Sequence, residues 1–190
     1  MPDDPHNLSK LQDYYAQNGV LPSYARIGEL VGFRSKKAVS DLVDRLIHAG
    51  FIRKTPDRRL APTEAFFGRP VVDSVRAGLP QAANDAGVES LAIDSFLVKR
   101  PSSTVLLTVK GDSMIHAGLV EGDHLVVDRM VNAKLGDIVV AIVDNQFTVK
   151  YLAKDKQGFH LKPGNIGYPI IRPQGQMEIY GVVVGSFRRY

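Results

Sequence analysis

The chain contains no cysteine. That excludes a disulfide scaffold, a cysteine nucleophile and a thiolate-held zinc. Long apolar stretches are missing too. The longest uninterrupted run is Ile138–Val143, far short of the ~20 residues a membrane-spanning helix needs. The five histidines, His6, His48, His116, His124 and His160, form no His-x-x-x-His pair, and no glycine-rich phosphate loop is present. No metal and no cofactor is therefore expected. There is no internal repeat and no low-complexity tract. The opening residues, Met1-Pro2-Asp3-Asp4-Pro5, are acidic and proline-rich, unlike a secretory signal, so the expectation is a soluble cytoplasmic protein with no membrane partner.

What is present fits a folded chain. Its 190 residues are 44% hydrophobic and 23% charged, enough for one domain or two small ones and too apolar for disorder. The net charge of +4 is a mild basic excess. It suits nucleic acid only where the charges are gathered on one surface.

Up to about residue 65 the pattern is helical. Leu8, Leu11, Tyr14 and Tyr15 recur at helical spacing, and Asn18-Gly19 ends that stretch. Ser23 opens a second helix with Ile27, Leu30 and Val31 as its stripe, and Gly32 breaks it. Ser35 caps a third helix bearing Ala38, Val39, Leu42, Val43, Leu46 and Ile47, with Gly50 as its stop. Phe51–Lys54, the turn Thr55-Pro56-Asp57 and Arg58-Arg59-Leu60 then read as a hairpin. Three helices and a hairpin make a winged helix-turn-helix. Arg34, Ser35, Lys36, Lys37, Ser40 and Asp41, at the start of the third helix, are the candidate DNA-binding residues, joined by Arg58 and Arg59 on the wing. Arg53 and Lys54 add to the wing's charge. The same arrangement also occurs in protein–protein modules.

Residues 66–72 lack a period and read as a linker. Residues 73–190 carry short β-type runs at Val105–Val109, Leu125–Val127, Ile138–Val143, Phe147–Leu152, His160–Lys162 and Ile179–Val184, punctuated by Gly, Asp, Asn and Pro. The fold class is α+β: an N-terminal winged helix-turn-helix domain (1–65), then a mostly antiparallel β domain (73–190).

Two residues invite chemistry. Ser113 stands in Lys110-Gly111-Asp112-Ser113-Met114, where a strand passes into a turn and a hydroxyl can be exposed. Lys150 stands mid-strand, sharing a face with Thr148 and Leu152 by period-2 alternation. Taken singly, an ordinary turn serine and a solvated lysine explain them as well. His116 lies near Ser113, but a Ser–His pair three residues apart in a turn rarely has catalytic geometry.

Together with their surroundings they resemble the LexA-type self-cleaving repressors, of the serine–lysine peptidase group shared with UmuD and phage repressors. The resemblance runs from Ser23 to Tyr190 in one order. It includes Ile27-Gly28-Glu29-Leu30-Val31-Gly32-Phe33-Arg34-Ser35, then Val75-Arg76-Ala77-Gly78-Leu79-Pro80. Val109-Lys110-Gly111-Asp112-Ser113-Met114, Glu121-Gly122-Asp123, Gly136–Ala141 and Thr148-Val149-Lys150 follow. Leu161-Lys162-Pro163-Gly164-Asn165 and Gly181–Gly185 complete it.

The resemblance implies a bacterial repressor that binds a palindromic operator as a dimer joined through its C-terminal domain. It implies self-cleavage at Ala77-Gly78 with Ser113 as nucleophile, Lys150 as general base and the backbone N–H groups of Ser113 and Met114 holding the oxyanion. An activated RecA filament on single-stranded DNA is the implied trigger, in response to DNA damage. Two departures stand out. Arg76 replaces the small or uncharged residue usual before the scissile alanine, and Lys37 and Ser40 replace the Asn and Glu of well-known members. The alternative these raise is a regulator of a smaller regulon or a mobile element, with a peptidase that is idle or differently triggered.

Overall fold

A computed structural model describes residues 4–71, 89–173 and 175–190. The chain divides into two compact units between Phe96 and Leu97.

The first unit is built on helices α1 (Asp4–Asn18), α2 (Tyr24–Val31) and α3 (Lys36–His48). Ser23 Oγ accepts from the Arg26 amide at 3.3 Å, and Ser35 Oγ accepts from the Ala38 amide at 3.0 Å, so both cap serines act as the sequence indicates. α2 ends at Gly32, which takes the left-handed conformation at φ 79°. Gly28 lets α2 and α3 meet: a Cβ there would lie 3.1 Å from the Phe33 carbonyl oxygen and 3.2 Å from Val39 Cγ2. The core gathers Leu8, Leu11, Ile27, Val39, Leu42, Val43 and Leu46, all on the helical stripes that the periodicity marks, together with Ile52 of the hairpin.

Strands β1 (Ile52–Lys54) and β2 (Leu60–Pro62) form the hairpin. Its return strand starts two residues later than the pattern implies. Arg58 sits in a left-handed turn at φ 63°, so Arg58 and Arg59 belong to the tip. Phe66, assigned from sequence to a linker, is instead 1% exposed in this core and stacks edge-on with Tyr15 and Phe67. It lies in the short 3-10 turn Glu64–Phe67, too brief for any period to show. Beyond it β3 (Arg69–Val71) pairs antiparallel with β4 (Glu89–Leu91), and α4 (Ile93–Leu97) follows.

The second unit is one antiparallel sheet of β5 (Thr104–Thr108), β6 (His124–Asp128), β7 (Ile138–Val143), β8 (Gln146–Asp155), β9 (Gly158–Lys162) and β10 (Met177–Phe187), in the order β5-β6-β10-β7-β8-β9. β7 is apolar throughout because both its faces are covered. Val140 packs with Val109, Met114, Leu119, Leu125 and Val127, while Val139 and Ala141 pack with Leu152, Leu161 and Val182. Asp144 and Asn145, both at positive φ, make the tight β7–β8 turn. β10 shifts register at Gly181, where a Cβ would come within 2.7 Å of Val127 Cγ1 and 3.0 Å of the Asp128 carbonyl oxygen.

Near the carboxyl end, Arg188 Nε lies 2.7 Å from Asp123 Oδ1, and its Nη2 donates to Asp123 Oδ2 at 2.9 Å and to the Gly118 carbonyl at 3.1 Å. The Asp123 side chain is 2% exposed and, among the described residues, otherwise accepts only from the Val120 amide. Arg188→Ala leaves that carboxylate buried without its cation, and urea denaturation is expected to show a loss of about 2 kcal/mol.

Candidate functional site

The Ser113 turn is set by its flanks. β5 runs out into Val109 and Lys110, and Gly111 turns the chain at φ 77°. Met114 is 1% exposed in the sheet's apolar cluster and fixes the other side. The short 3-10 turn Ile115–Ala117 then ends at Gly118, φ 80°. Ser113 is left half-buried, at the edge of a cleft of about 340 Å³ lined by Leu107, Leu125, Val140, Phe147 and Val149.

Lys150 enters the same cleft from the middle of β8, paired with Val139 of β7. Its amine lies 2.8 Å from Ser113 Oγ, 3.1 Å from Thr148 Oγ1 and 2.9 Å from the Val149 carbonyl oxygen. The residue is only 6% exposed. Among the described residues no carboxylate pairs with it. Burial therefore acts unopposed and pushes the amine below the ordinary lysine range. A neutral amine has two N–H groups and one lone pair. Thr148 and Val149 can take the two protons, which aims the lone pair at the Ser113 hydroxyl.

The sequence pairs Ser113 with Lys150 only through resemblance; the fold brings them within hydrogen-bond distance across 37 positions. Thr148 belongs to the same contact set without being marked by a motif role of its own. The signal for it was its place two residues before Lys150 on the same strand face. The amides of Ser113 and Met114 donate to no acceptor among the described residues. Ala77, Gly78 and Arg76 lie outside the described residues.

On the first unit, Arg34, Ser35, Lys36, Lys37, Ser40 and Asp41 line one concavity at the start of α3. All but the half-buried Ser40 are exposed. Arg34, Lys36 and Lys37 form no ion pair among the described residues. Arg58 and Arg59 line a different concavity, at the hairpin tip, and Arg59 pairs with Asp57 at 3.1 Å. Lys54 of the hairpin reaches Asp44 on α3 at 3.4 Å. No group of three or more metal-ligating side chains occurs among the described residues.

A helical unit with an N-terminal basic concavity, followed by a β unit with a buried lysine on a serine, matches known proteins along its length. The Peptidase S24-like family matches residues 70–184. A LexA repressor of Alcanivorax borkumensis is 37% identical over 189 residues, covering 95% of this chain and 92% of that protein. One of Bacillus thuringiensis is 35% identical over 185 residues, with 90% and 89% covered. One of Acetivibrio thermocellus is 32% identical over 201 residues, with 96% and 94% covered. The chain belongs to the Peptidase S24-like family and, within it, to the LexA-type self-cleaving repressors.

The lowered basicity of Lys150 has a direct readout. In a carbon-13 NMR titration of the lysine side chains, one resonance, absent in Lys150→Ala, is expected to lose its proton at lower pH than the others. Co-titration with the surface lysines would mean that the amine is not held dry.

Proposed function

We propose that this repressor binds a roughly palindromic double-stranded operator as a homodimer, reading it with the winged helix-turn-helix of residues 1–65. Residues 73–190 supply both the dimer contact and a serine–lysine endopeptidase that cuts its own chain between Ala77 and Gly78. The setting is the bacterial cytoplasm and the DNA-damage (SOS) response, with an activated RecA filament on single-stranded DNA as the trigger. The observation that carries the reading is the 2.8 Å contact between Ser113 Oγ and a buried lysine amine that has no carboxylate partner among the described residues.

The chemistry follows from that contact. Neutral Lys150 takes the Ser113 proton as Oγ bonds to the Ala77 carbonyl carbon. The resulting oxyanion faces the amides of Ser113 and Met114, which have no other acceptor among the described residues. Lys150 then gives its proton to the Gly78 nitrogen as the peptide bond breaks. A water, deprotonated by Lys150, attacks the Ala77 ester carbon, and Lys150 returns that proton to Ser113 Oγ as the ester bond breaks. The small side chains of Ala77 and Gly78 suit a narrow apolar cleft. Because the scissile bond is tethered to its own catalyst, its effective concentration is high, and control has to act on how often the segment is docked. A filament that binds the docked state more tightly shifts that population. Cleavage separates the DNA-binding part from the dimer contact, so avidity is lost and the operator is released.

Purified protein incubated at neutral pH, at alkaline pH, and at neutral pH with RecA, single-stranded DNA and ATP tests this. Two fragments split at Ala77–Gly78 are expected, faster at alkaline pH because more Lys150 is neutral there, and faster with the filament. Ser113→Ala and Lys150→Ala are each expected to slow this by at least roughly 1,000-fold while leaving the fold intact. Wild-type rates in either variant would remove that residue from the reaction. Cleavage at alkaline pH without any response to the filament would keep the chemistry and favour the differently triggered regulator.

For DNA, Lys36→Ala/Lys37→Ala is expected to weaken operator binding by roughly 10-fold and to flatten its salt dependence. A gel-shift titration with unchanged affinity would take both lysines out of the interface.

A further inference from the structure

Ser113 sits between two residues that are held by one remote loop. Asp112 precedes it. The Asp112 carbonyl accepts from Asn165 Nδ2 at 3.2 Å, and its carboxylate accepts from Asn165 Nδ2 at 3.4 Å and from the Tyr168 hydroxyl. Met114 and His116 follow it. The Gly164 amide donates to Met114 Sδ at 3.2 Å, and the His116 amide donates to the Gly164 carbonyl at 3.0 Å. Gly164 is pressed against this turn, since a Cβ there would lie 3.3 Å from Met114 Cα and 3.2 Å from Ala117 Cβ.

The loop is itself braced. The Gly167 amide donates to Asn165 Oδ1 at 3.0 Å, and the Tyr168 amide donates to the Asn165 carbonyl at 3.1 Å. It springs from β9, whose Leu161 is fully buried and exchanges two 2.9 Å backbone bonds with Ile171. The loop is thus closed at its base, and Asn165 and Tyr168 project from it onto Asp112.

Asp112 and Tyr168 are both exposed, and so is Asn165's neighbour Ile166, at 97%. Burial cannot account for the contact, and neither Asp112 nor Tyr168 is among the residues that line the cleft. What the contact does fix is the peptide on the amino side of Ser113. The orientation of that peptide sets the Ser113 amide and the direction in which Oγ leaves the turn.

We propose that Tyr168 and Asn165 are positioning residues that act through Asp112, clamping the Ser113 turn so that Oγ faces Lys150 and the amides of Ser113 and Met114 converge on one point. The inference rests on Ser113 being the nucleophile. The clamp is preorganisation in the strict sense: loosening it leaves the lysine and the serine present but mis-aimed, and a displacement of about 1 Å at a reacting centre costs up to roughly 100-fold in rate. The Asp112 carboxylate also holds the Tyr168 phenol above its ordinary range, which favours the protonated donor.

The test is alkaline self-cleavage of the full chain across a pH series, with thermal melting of each variant. Tyr168→Phe and Asn165→Ala are each expected to lower the high-pH plateau by roughly 10-fold or more. The midpoint of the profile, which belongs to Lys150, is expected to stay where it is. Asp112→Ala combined with Tyr168→Phe is expected to be no slower than the slower single variant, because the two act as one unit. Asp112→Asn keeps an oxygen for the phenol and is expected to retain more activity than Asp112→Ala. A wild-type plateau in Tyr168→Phe, alongside an inactive Ser113→Ala, overturns the clamp and leaves the nucleophile standing; a wild-type rate in Ser113→Ala removes the nucleophile itself. A shifted midpoint would mean Tyr168 acts on the lysine's ionisation, and a plateau lost only in proportion to the unfolded fraction would mean a purely structural role. Both overturn the proposal.

Discussion

One amine kept out of water governs the peptidase half. An isolated cation is costly to bury, and the usual remedy is a carboxylate beside it. Lys150 has none among the described residues; it has a hydroxyl, a carbonyl and a serine. These satisfy a neutral amine as completely as a charged one, so the environment removes the reason for keeping the proton. A carboxylate at the same place would hold the proton and end any role as a base. Lys150 thus sits where a stabilising residue is missing, and the rest of the unit has to be stable enough to tolerate it.

The sheet provides that tolerance. β8 carries the lysine, and its partner β7 is covered on both faces by separate apolar clusters. A strand packed on both sides cannot slip by one residue without exposing one cluster or the other. That fixes the register Val139↔Lys150, and with it the height of the amine in the cleft. Met114 belongs to one of those clusters, so the packing that fixes β7 also seats the serine turn. Ser113 and Lys150 are therefore referred to the same core, although they come from different parts of the chain.

The legibility of the chain divides along the same line. α1, α2, α3 and their serine caps could be read because a helix repeats every few residues and its ends have chemical signatures. The strands were readable as runs bounded by turn residues, and Ile138–Val143 matches β7 to the residue. Phe66 is not legible as a core residue because a four-residue 3-10 turn has no period, and its burial depends on Tyr15, far off in sequence. The left-handed turn at Arg58 was likewise invisible, since only the folded hairpin shows which residue absorbs the positive φ. Ser113 and Lys150 were ambiguous singly for a related reason. Local pattern says that a serine ends a strand and that a lysine interrupts one, but burial of the lysine is a property of the assembled sheet. Ordered family motifs supplied what local physics could not.

The loop of residues 163–168 is not legible as a support for Ser113, although Pro163-Gly164-Asn165 belongs to those motifs. Proline and glycine there read as ordinary turn residues. Their role depends on a contact made 50 positions away, where the Gly164 amide meets Met114 Sδ. A turn that carries a reactive group gains nothing from its own strand once the strand has ended. It has to be held from outside, and a loop closed at its base by Leu161 and Ile171 is a rigid place from which to do so. In the proposed reaction Lys150 needs dryness, and the sheet supplies it. Ser113 needs direction, and the sheet alone supplies only one of its two flanks, Met114. The second flank, Asp112, is exposed and has its side-chain contacts with that loop, so the fold divides the control of the two groups between a core and a clamp.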